Sequence, residues 1–358
     1  MSPFAPLPVI SVAGSHRQVG RQMGEATRDM IRTDLELAWA DVPAGRSRED
    51  QLALAQRFRD AAAPSLPWLL EELDGCAEGA GVDALELFAG TVEEIWYEPR
   101  TRVTQGRCSD LVAGPRATAD GHLLVAHTND LSEGSHERIV ALEKKVDGDP
   151  VILQLGGVPV LSVGFNSAGL ALTGNELSPN DERVGISRDH QVLEMIRARS
   201  LEEMVAMSLR PDRASSYNNV LTSADGGVAN VEGSATDAEI TGLDERDLLV
   251  HTNHYVCDRM LAYEGDPAYA SRSQRRFDRG RALLREAEPG TITMDALRTM
   301  LADHDGAPDS LCRHPQGDTR TETAFWCVAD VTDGVVRFGR GNPCDSVEQT
   351  YRFDPYAA

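Results

Sequence analysis

The sequence predicts an α+β fold, with helices grouped in blocks around antiparallel sheets. Two observations lead there. Apolar residues recur at helical spacing through the first hundred residues, then give way to short strand-forming runs separated by turn residues. The turns are hairpin-like, without the long helical crossovers that neighbouring parallel strands require.

The elements follow in order. Ser15-His16-Arg17-Gln18 reads as a capping box, and Val19, Met23, Ala26, Met30 and Leu35 form one apolar stripe behind it. Ser47 with Asp50 opens a second helix through Leu54, Phe58 and Ala62. Pro64 and Pro67 break that helix, and Trp68, Leu69, Leu70 and Leu73 restart it. Asp83 caps a further helix containing Leu87, Phe88, Val92, Ile95 and Trp96. Strands are predicted over 108–113, 122–129, 137–146, 151–155, 161–166 and 169–174. A helix over 187–209 follows, then strands over 220–241 and 248–256, helices near 272–287 and 294–303, and a closing hairpin over 324–339.

Composition narrows the function. The 358 residues carry 57 Asp and Glu against 35 Lys and Arg, a net charge of −22. Such a surface repels phosphate backbones and anionic lipids, so nucleic-acid and membrane roles are not expected. No apolar run approaches the ~18–20 residues of a membrane helix, and no secretory signal is read at the N-terminus. The six cysteines, Cys76, Cys108, Cys257, Cys312, Cys327 and Cys344, form no C-x-x-C pair. Reduced thiols in a cytoplasm are therefore expected, mostly packed in the core or near the site. Hydrolase-elbow, zincin, P-loop and dinucleotide motifs are absent, and the nine histidines show no metal-ligand spacing. No metal and no bound cofactor are expected. His251 and His254, three apart, sit in strand-like flanks that disfavour a shared ion.

One position carries chemistry. Cys108 begins the first strand after a separable helical block, in Thr104-Gln105-Gly106-Arg107-Cys108-Ser109-Asp110-Leu111. Were the chain cut before it, Cys108 would gain an α-amine beside its thiol. That amine titrates near ~7.7–8.0 and can take the thiol proton without a histidine. The cut needs no protease, because the thiol can attack the Arg107 carbonyl and form a thioester that water resolves.

Motifs along most of the chain strengthen this reading. They include Gly20-Arg21-Gln22-Met23-Gly24-Glu25, the stretch 71–81 around Gly75-Cys76-Ala77-Glu78-Gly79, and His127-Thr128-Asn129-Asp130. Gly164-Phe165-Asn166-Ser167-Ala168-Gly169, Asn175-Glu176-Leu177 and His251-Thr252-Asn253-His254-Tyr255 continue the series. Ser310-Leu311-Cys312-Arg313-His314-Pro315 and Gly341-Asn342-Pro343-Cys344 complete it. In order and spacing these resemble the penicillin acyltransferase family, the acyl-coenzyme A:isopenicillin N acyltransferase-like N-terminal-nucleophile cysteine hydrolases. The resemblance implies a four-layer αββα sandwich with two antiparallel sheets. It also implies autocatalytic cleavage between Arg107 and Cys108, giving a helical small chain, 1–107, and a catalytic chain, 108–358, that stay one globular unit. Cys108 is then nucleophile and amine base. Asp130 anchors the ammonium, the Asn253 side-chain amide donates to the oxyanion, and Asn175 supplies a backbone N–H to it.

The family often has a small residue before the nucleophile, whereas this chain has Arg107. Its long cationic side chain can sit in solvent, which allows cleavage, but the departure bears on the rate of cleavage and even on whether it occurs. The implied activity is hydrolysis or transfer of the acyl group of a small amide or thioester, with acyl-CoA as a conceivable co-substrate. Two other readings stay open. One is an uncleaved scaffold or binding protein of the same fold, and the other a thiol hydrolase using His251 or His254 as base.

Overall fold

The computed structural model describes residues 3–96, 107–160, 162–317 and 319–353. Gly106 and its upstream turn lie outside them, as does Leu161. β1 (Val9–Gly14) comes first, followed by α1 (His16–Ala26), α2 (Arg28–Ala40), α3 (Arg48–Ala62), α4 (Pro67–Ala80) and α5 (Ala84–Gly90). The capping boxes at Ser15 and Ser47 form, Pro67 occupies the first turn of α4, and Asp83 caps α5 by accepting from two backbone N–H groups.

Then come β2 (Arg107–Ala113), β3 (Leu124–Ser132), β4 (Ile139–Val146), β5 (Ile152–Gly157), β6 (Val163–Asn166) and β7 (Leu170–Asn175). α6 (Arg188–Met195), α7 (Leu201–Ser208), β8 (Asn218–Ser223), β9 (Val228–Gly233), β10 (Ala238–Thr241) and β11 (Leu248–His251) follow. α8 (Pro267–Glu286), α9 (Met294–Leu301), β12 (Thr321–Asp330), β13 (Val335–Arg340) and β14 (Gln349–Arg352) close the order.

The strands form an eight-stranded sheet, β1-β4-β5-β6-β7-β8-β9-β10, and a six-stranded sheet, β11-β2-β3-β12-β13-β14. Period-two alternation sends each strand's apolar residues to both faces. Ala141, Leu153, Phe165 and Val220 of the larger sheet meet Val112, Val125, Phe325 and Phe338 of the smaller one. The larger sheet's outer face packs on α1–α5 through Val140 and Leu142, and on α6 and α7 through Leu172 and Leu221. The smaller sheet's outer face packs Leu111, Leu124 and Trp326 on α8 and α9 through Leu284, Leu297 and Leu301. The result is the four-layer αββα sandwich.

Three details differ from the sequence reading. β1 falls in the stretch read as wholly helical and pairs parallel to β4, so one ladder of the larger sheet is not antiparallel. The predicted helix over 187–209 is two helices, because the Ile196 and Ala198 carbonyls accept from Asn166 Nδ2 (2.8 and 2.9 Å). The predicted strand over 248–256 stops at His251, where Ser273 Oγ takes the Asn253 N–H (2.7 Å) and turns the chain out of the sheet.

The first helical block is bonded into this architecture. Gly20 and Gly24 of α1 face Gly75 and Gly79 of α4, and a Cβ on Gly24 would lie 2.1 Å from the Cys76 carbonyl oxygen. Buried Glu72 on α4 pairs with buried Lys144 on β4 and with His16 on α1 (3.1 Å).

Candidate active site

β2 runs in the middle of the smaller sheet, and its alternation sets the geometry. Cys108, Asp110 and Val112 face the larger sheet, whereas Arg107, Ser109 and Leu111 face α8 and α9. On the adjacent β3, Asn129 lies opposite Cys108 and Asp130 opposite Arg107. Consecutive β3 residues thus serve opposite faces of the sheet.

Cys108 is 6% exposed and lines a cavity of about 410 Å³ with Asn129, Gly174, Glu176 and Asn219. Its main chain is held at both ends. The Cys108 N–H donates to Asn253 Oδ1 (2.8 Å), and Arg276 Nη1 donates to the Cys108 carbonyl (2.6 Å). Arg276 Nη2 also donates to Asn253 Oδ1 (2.8 Å). Asn129 Nδ2 donates to Cys108 Sγ (3.5 Å). Burial first, then the fields of Asp130, Asp110 and Glu176, push the thiol well above its ordinary range, against a partial offset from Arg276.

The predicted site residues are placed unequally. Asn253 touches Cys108, but with its oxygen: its Nδ2 donates to the Glu176 carbonyl (3.0 Å). Two donors on the oxygen fix that orientation, so in this state the side chain grips the Cys108 nitrogen and does not offer an oxyanion donor. Asp130 is fully buried on the opposite face, where it accepts from Thr323 Oγ1 (2.7 Å) and lies 3.8 Å from Arg313 Nε. Burial raises its pKa against the pull of Arg313 and Arg276. The Asn175 side chain accepts from Asn218 Nδ2 (3.2 Å) and lies 2.9 Å from His251 Nδ1, away from the thiol.

Arg107, which could have sat in solvent, is buried. It is 6% exposed, not solvated, and donates to Asp309 Oδ1 (2.6 Å), which also takes Arg313 Nη1 (3.2 Å). Burying a guanidinium demands such a partner.

Neither histidine is hydrogen-bonded to the thiol. His251 is held between Asn175 and Glu232 Oε1 (2.8 Å), and burial lowers His254 to about 4. Asn129, Arg276, Asp309 and Thr323 were not singled out from sequence. Asn129 lay inside a quoted motif, but Arg276 sits on α8, 168 residues from Cys108, with no local signature.

The ionisable carboxyl groups at the cavity have no cationic counterpart in its described lining. Asp34, Glu93, Glu176 and Asp189 line it, with no Lys, Arg or His among the described lining residues. Burial and then Glu93 raise Asp189 to about 8 and Glu176 well above the carboxylate range. Glu93 itself is drawn below its ordinary value, because Arg188 and its hydrogen bonds outweigh burial.

The layered αββα sandwich, with Cys108 near the start of an interior strand and lining a cavity, is the architecture that the sequence's resemblance to N-terminal-nucleophile hydrolases implies. Within that class the family model described as acyl-coenzyme A:6-aminopenicillanic acid acyl-transferase matches residues 116–345, and the chain belongs to this family of acyl-transfer enzymes. The match begins eight residues after Cys108 (116 − 108). No curated protein matches the chain. Among solved structures, a mutant conjugated bile acid hydrolase from Clostridium perfringens is similar at 12% identity and TM-score 0.46, over 69% of this chain and 97% of that one. Penicillin V acylase from Agrobacterium tumefaciens is similar at 14% identity and TM-score 0.42, over 65% and 83%.

Proposed function

We propose that the chain is an autoprocessed N-terminal cysteine enzyme that hydrolyses, or transfers the acyl group of, a small amide. The observation that carries the reading is the hold on Cys108. Its nitrogen already faces an acceptor, Asn253 Oδ1, while its thiol lines a cavity. In maturation Cys108 Sγ attacks the Arg107 carbonyl carbon, the C–N bond breaks, and the nitrogen leaves as an α-amine. Water then splits the thioester into the Arg107 carboxylate and the free thiol.

In turnover the amine takes the thiol proton, the sulfur attacks the substrate carbonyl, and the proton passes to the leaving amine. An acyl-enzyme thioester remains, resolved by water in hydrolysis or by an amine in transfer. Asn253 Oδ1 accepts from the ammonium, and Asp130 supplies opposite charge from the far face. The Asn175 backbone N–H stays our proposed oxyanion donor, and Asn129 Nδ2 takes the second donor role.

Of the acidic lining residues, Asp34 and Glu93 are already paired with Arg138 and Arg188, and burial holds Glu176 protonated, so Asp189, once ionised, is the group that favours a substrate bearing an ammonium. The described lining offers no Lys, Arg or His to coenzyme A's phosphates, so hydrolysis of a small amide is our preferred outcome. We assign no resident cofactor and a reducing cytoplasm, in keeping with six unpaired thiols. The 1–107 and 108–358 chains remain associated through the α1–α5 layer.

The uncleaved scaffold is the second reading. Its favouring observation is that the Arg107–Cys108 bond lies within β2, with both residues paired to β3. Intact mass and N-terminal sequencing of the purified protein distinguish the two. The enzyme reading expects chains of about 107 and about 251 residues (358 − 107), the larger starting at Cys108. Cys108→Ala should stay single and inactive on amino-acyl amides. A wild-type chain that persists uncut would overturn the proposal.

A further inference from the structure

Far along the chain the fold gathers four metal-type donors. His304 follows α9, Cys312 and His314 lie on the segment entering β12, and Cys344 lies between β13 and β14. Their donor atoms all fall within 4.8 Å of one another. Cys312 Sγ and Cys344 Sγ are 3.6 Å apart and unbonded, and His304 Nε2 and His314 Nε2 are 3.1 Å apart. His314 Nε2 lies 3.7 Å from Cys312 Sγ and 3.5 Å from Cys344 Sγ.

These are four of the six edges of a coordination tetrahedron, the other two, from His304 to each sulfur, lying within 4.8 Å. With Zn–S at ~2.3 Å and Zn–N at ~2.0–2.1 Å, tetrahedral geometry requires about 3.8 Å between sulfurs, about 3.3 Å between nitrogens and about 3.5 Å between unlike atoms. Every measured edge agrees within a few tenths of an ångström. Asn342 Nδ2 donates to Cys312 Sγ (3.5 Å), the kind of outer contact that steadies a thiolate ligand.

We propose that His304, Cys312, His314 and Cys344 bind one Zn²⁺ in a closed tetrahedral site. Two thiolates and two neutral imidazoles balance the ion's charge, and binding releases two thiol protons to solvent. The soft sulfur pair and tetrahedral shape favour zinc over magnesium, calcium or manganese. All four positions are filled by protein, so the ion is structural and does not take part in acyl transfer.

Its effect reaches the cleavage site. The segment it pins carries Asp309 and Arg313, the partners of Arg107 and Asp130, and ties them to the β13–β14 loop. This inference does not depend on the proposed activity.

The test uses full-length protein purified under reducing conditions. Elemental analysis of the protein as isolated should find one zinc per chain. After chelator stripping, Zn²⁺ is titrated against a chromophoric competitor, and Co²⁺ serves as the spectroscopic probe. Cobalt should give the intense visible bands of tetrahedral coordination and a thiolate charge-transfer band. Cys344→Ser and His304→Ala, both at exposed positions, should each weaken zinc binding by about 100-fold or more with unchanged circular dichroism. The proposal falls if the reduced, stripped wild type takes up no zinc. It also falls if the cobalt adduct lacks sulfur ligation, or if both variants bind zinc as the wild type does.

Discussion

As the nucleophile we propose, Cys108 needs a base delivered to it. Burial and three nearby carboxyl residues keep its thiol protonated in the intact chain, and no imidazole reaches it among the described residues. Cys108 stood out in the sequence because it lies where helical spacing ends and alternation begins. The orientation of Asn253 was not legible there, since it depends on Arg276 and on the Glu176 carbonyl, which arrive from other elements. Sequence order likewise hid that Asp130 and Asn129 serve opposite faces. Asp189, raised to about 8 and accepting from Tyr217 OH (2.6 Å), gives a prediction at this scale. Its ionised form attracts an ammonium and its protonated form does not. The KM for an acyl amide carrying a permanently charged trimethylammonium group should therefore fall as pH rises through about 8. Asp189→Asn should flatten that dependence in steady-state kinetics, and an unchanged profile would remove Asp189 from substrate recognition.

The helices illustrate what periodicity reveals and what it omits. Caps at Ser15, Ser47 and Asp83 were readable because each is a local bond between a side chain and a nearby backbone group. The α1–α4 contact was visible only as glycine-containing motifs, whose meaning emerged from the close approach of two backbones. β1 was missed because a six-residue strand owes its pairing to β4, more than a hundred residues away. Gly24→Ala or Gly79→Ala should push those helices apart. Each should cost about 1–3 kcal/mol or more in denaturant unfolding, as overpacked cores do. A neutral result for both would mean that the layer adjusts freely. Glu72 adds to this interface: burial raises its carboxyl, but Lys144 and His16 outweigh burial and hold it below the ordinary range.

At the scale of the molecule, charge dominates. Asp189 at about 8, Glu182 at about 9 and Glu176, held well above its ordinary range, bind protons more tightly folded than unfolded, through burial first and neighbouring acids second. For such groups the folded state holds the extra protons between roughly pH 4 and 9, so stability declines as pH rises across that window. Groups with depressed values, Glu72 and Glu232 among them, act oppositely and lose their contribution as pH falls below about 4. A net charge of −22 adds self-repulsion above neutrality. Calorimetry should find the highest Tm in mildly acidic buffer and a steady fall toward about pH 9, and a maximum in the alkaline range would contradict this assignment. Layer order was legible as a class of fold, but the pairing of sheets was not, because it rests on long-range register.

The seat of Arg107 has one more consequence. Its guanidinium is anchored in Asp309, apart from the peptide bond that joins it to the following residue. If that bond opens, the freshly made carboxy-terminus remains moored by its own side chain, and the severed ends stay in register like two halves of a hinge still pinned. Maturation would then change what the protein can do while leaving its outline almost untouched.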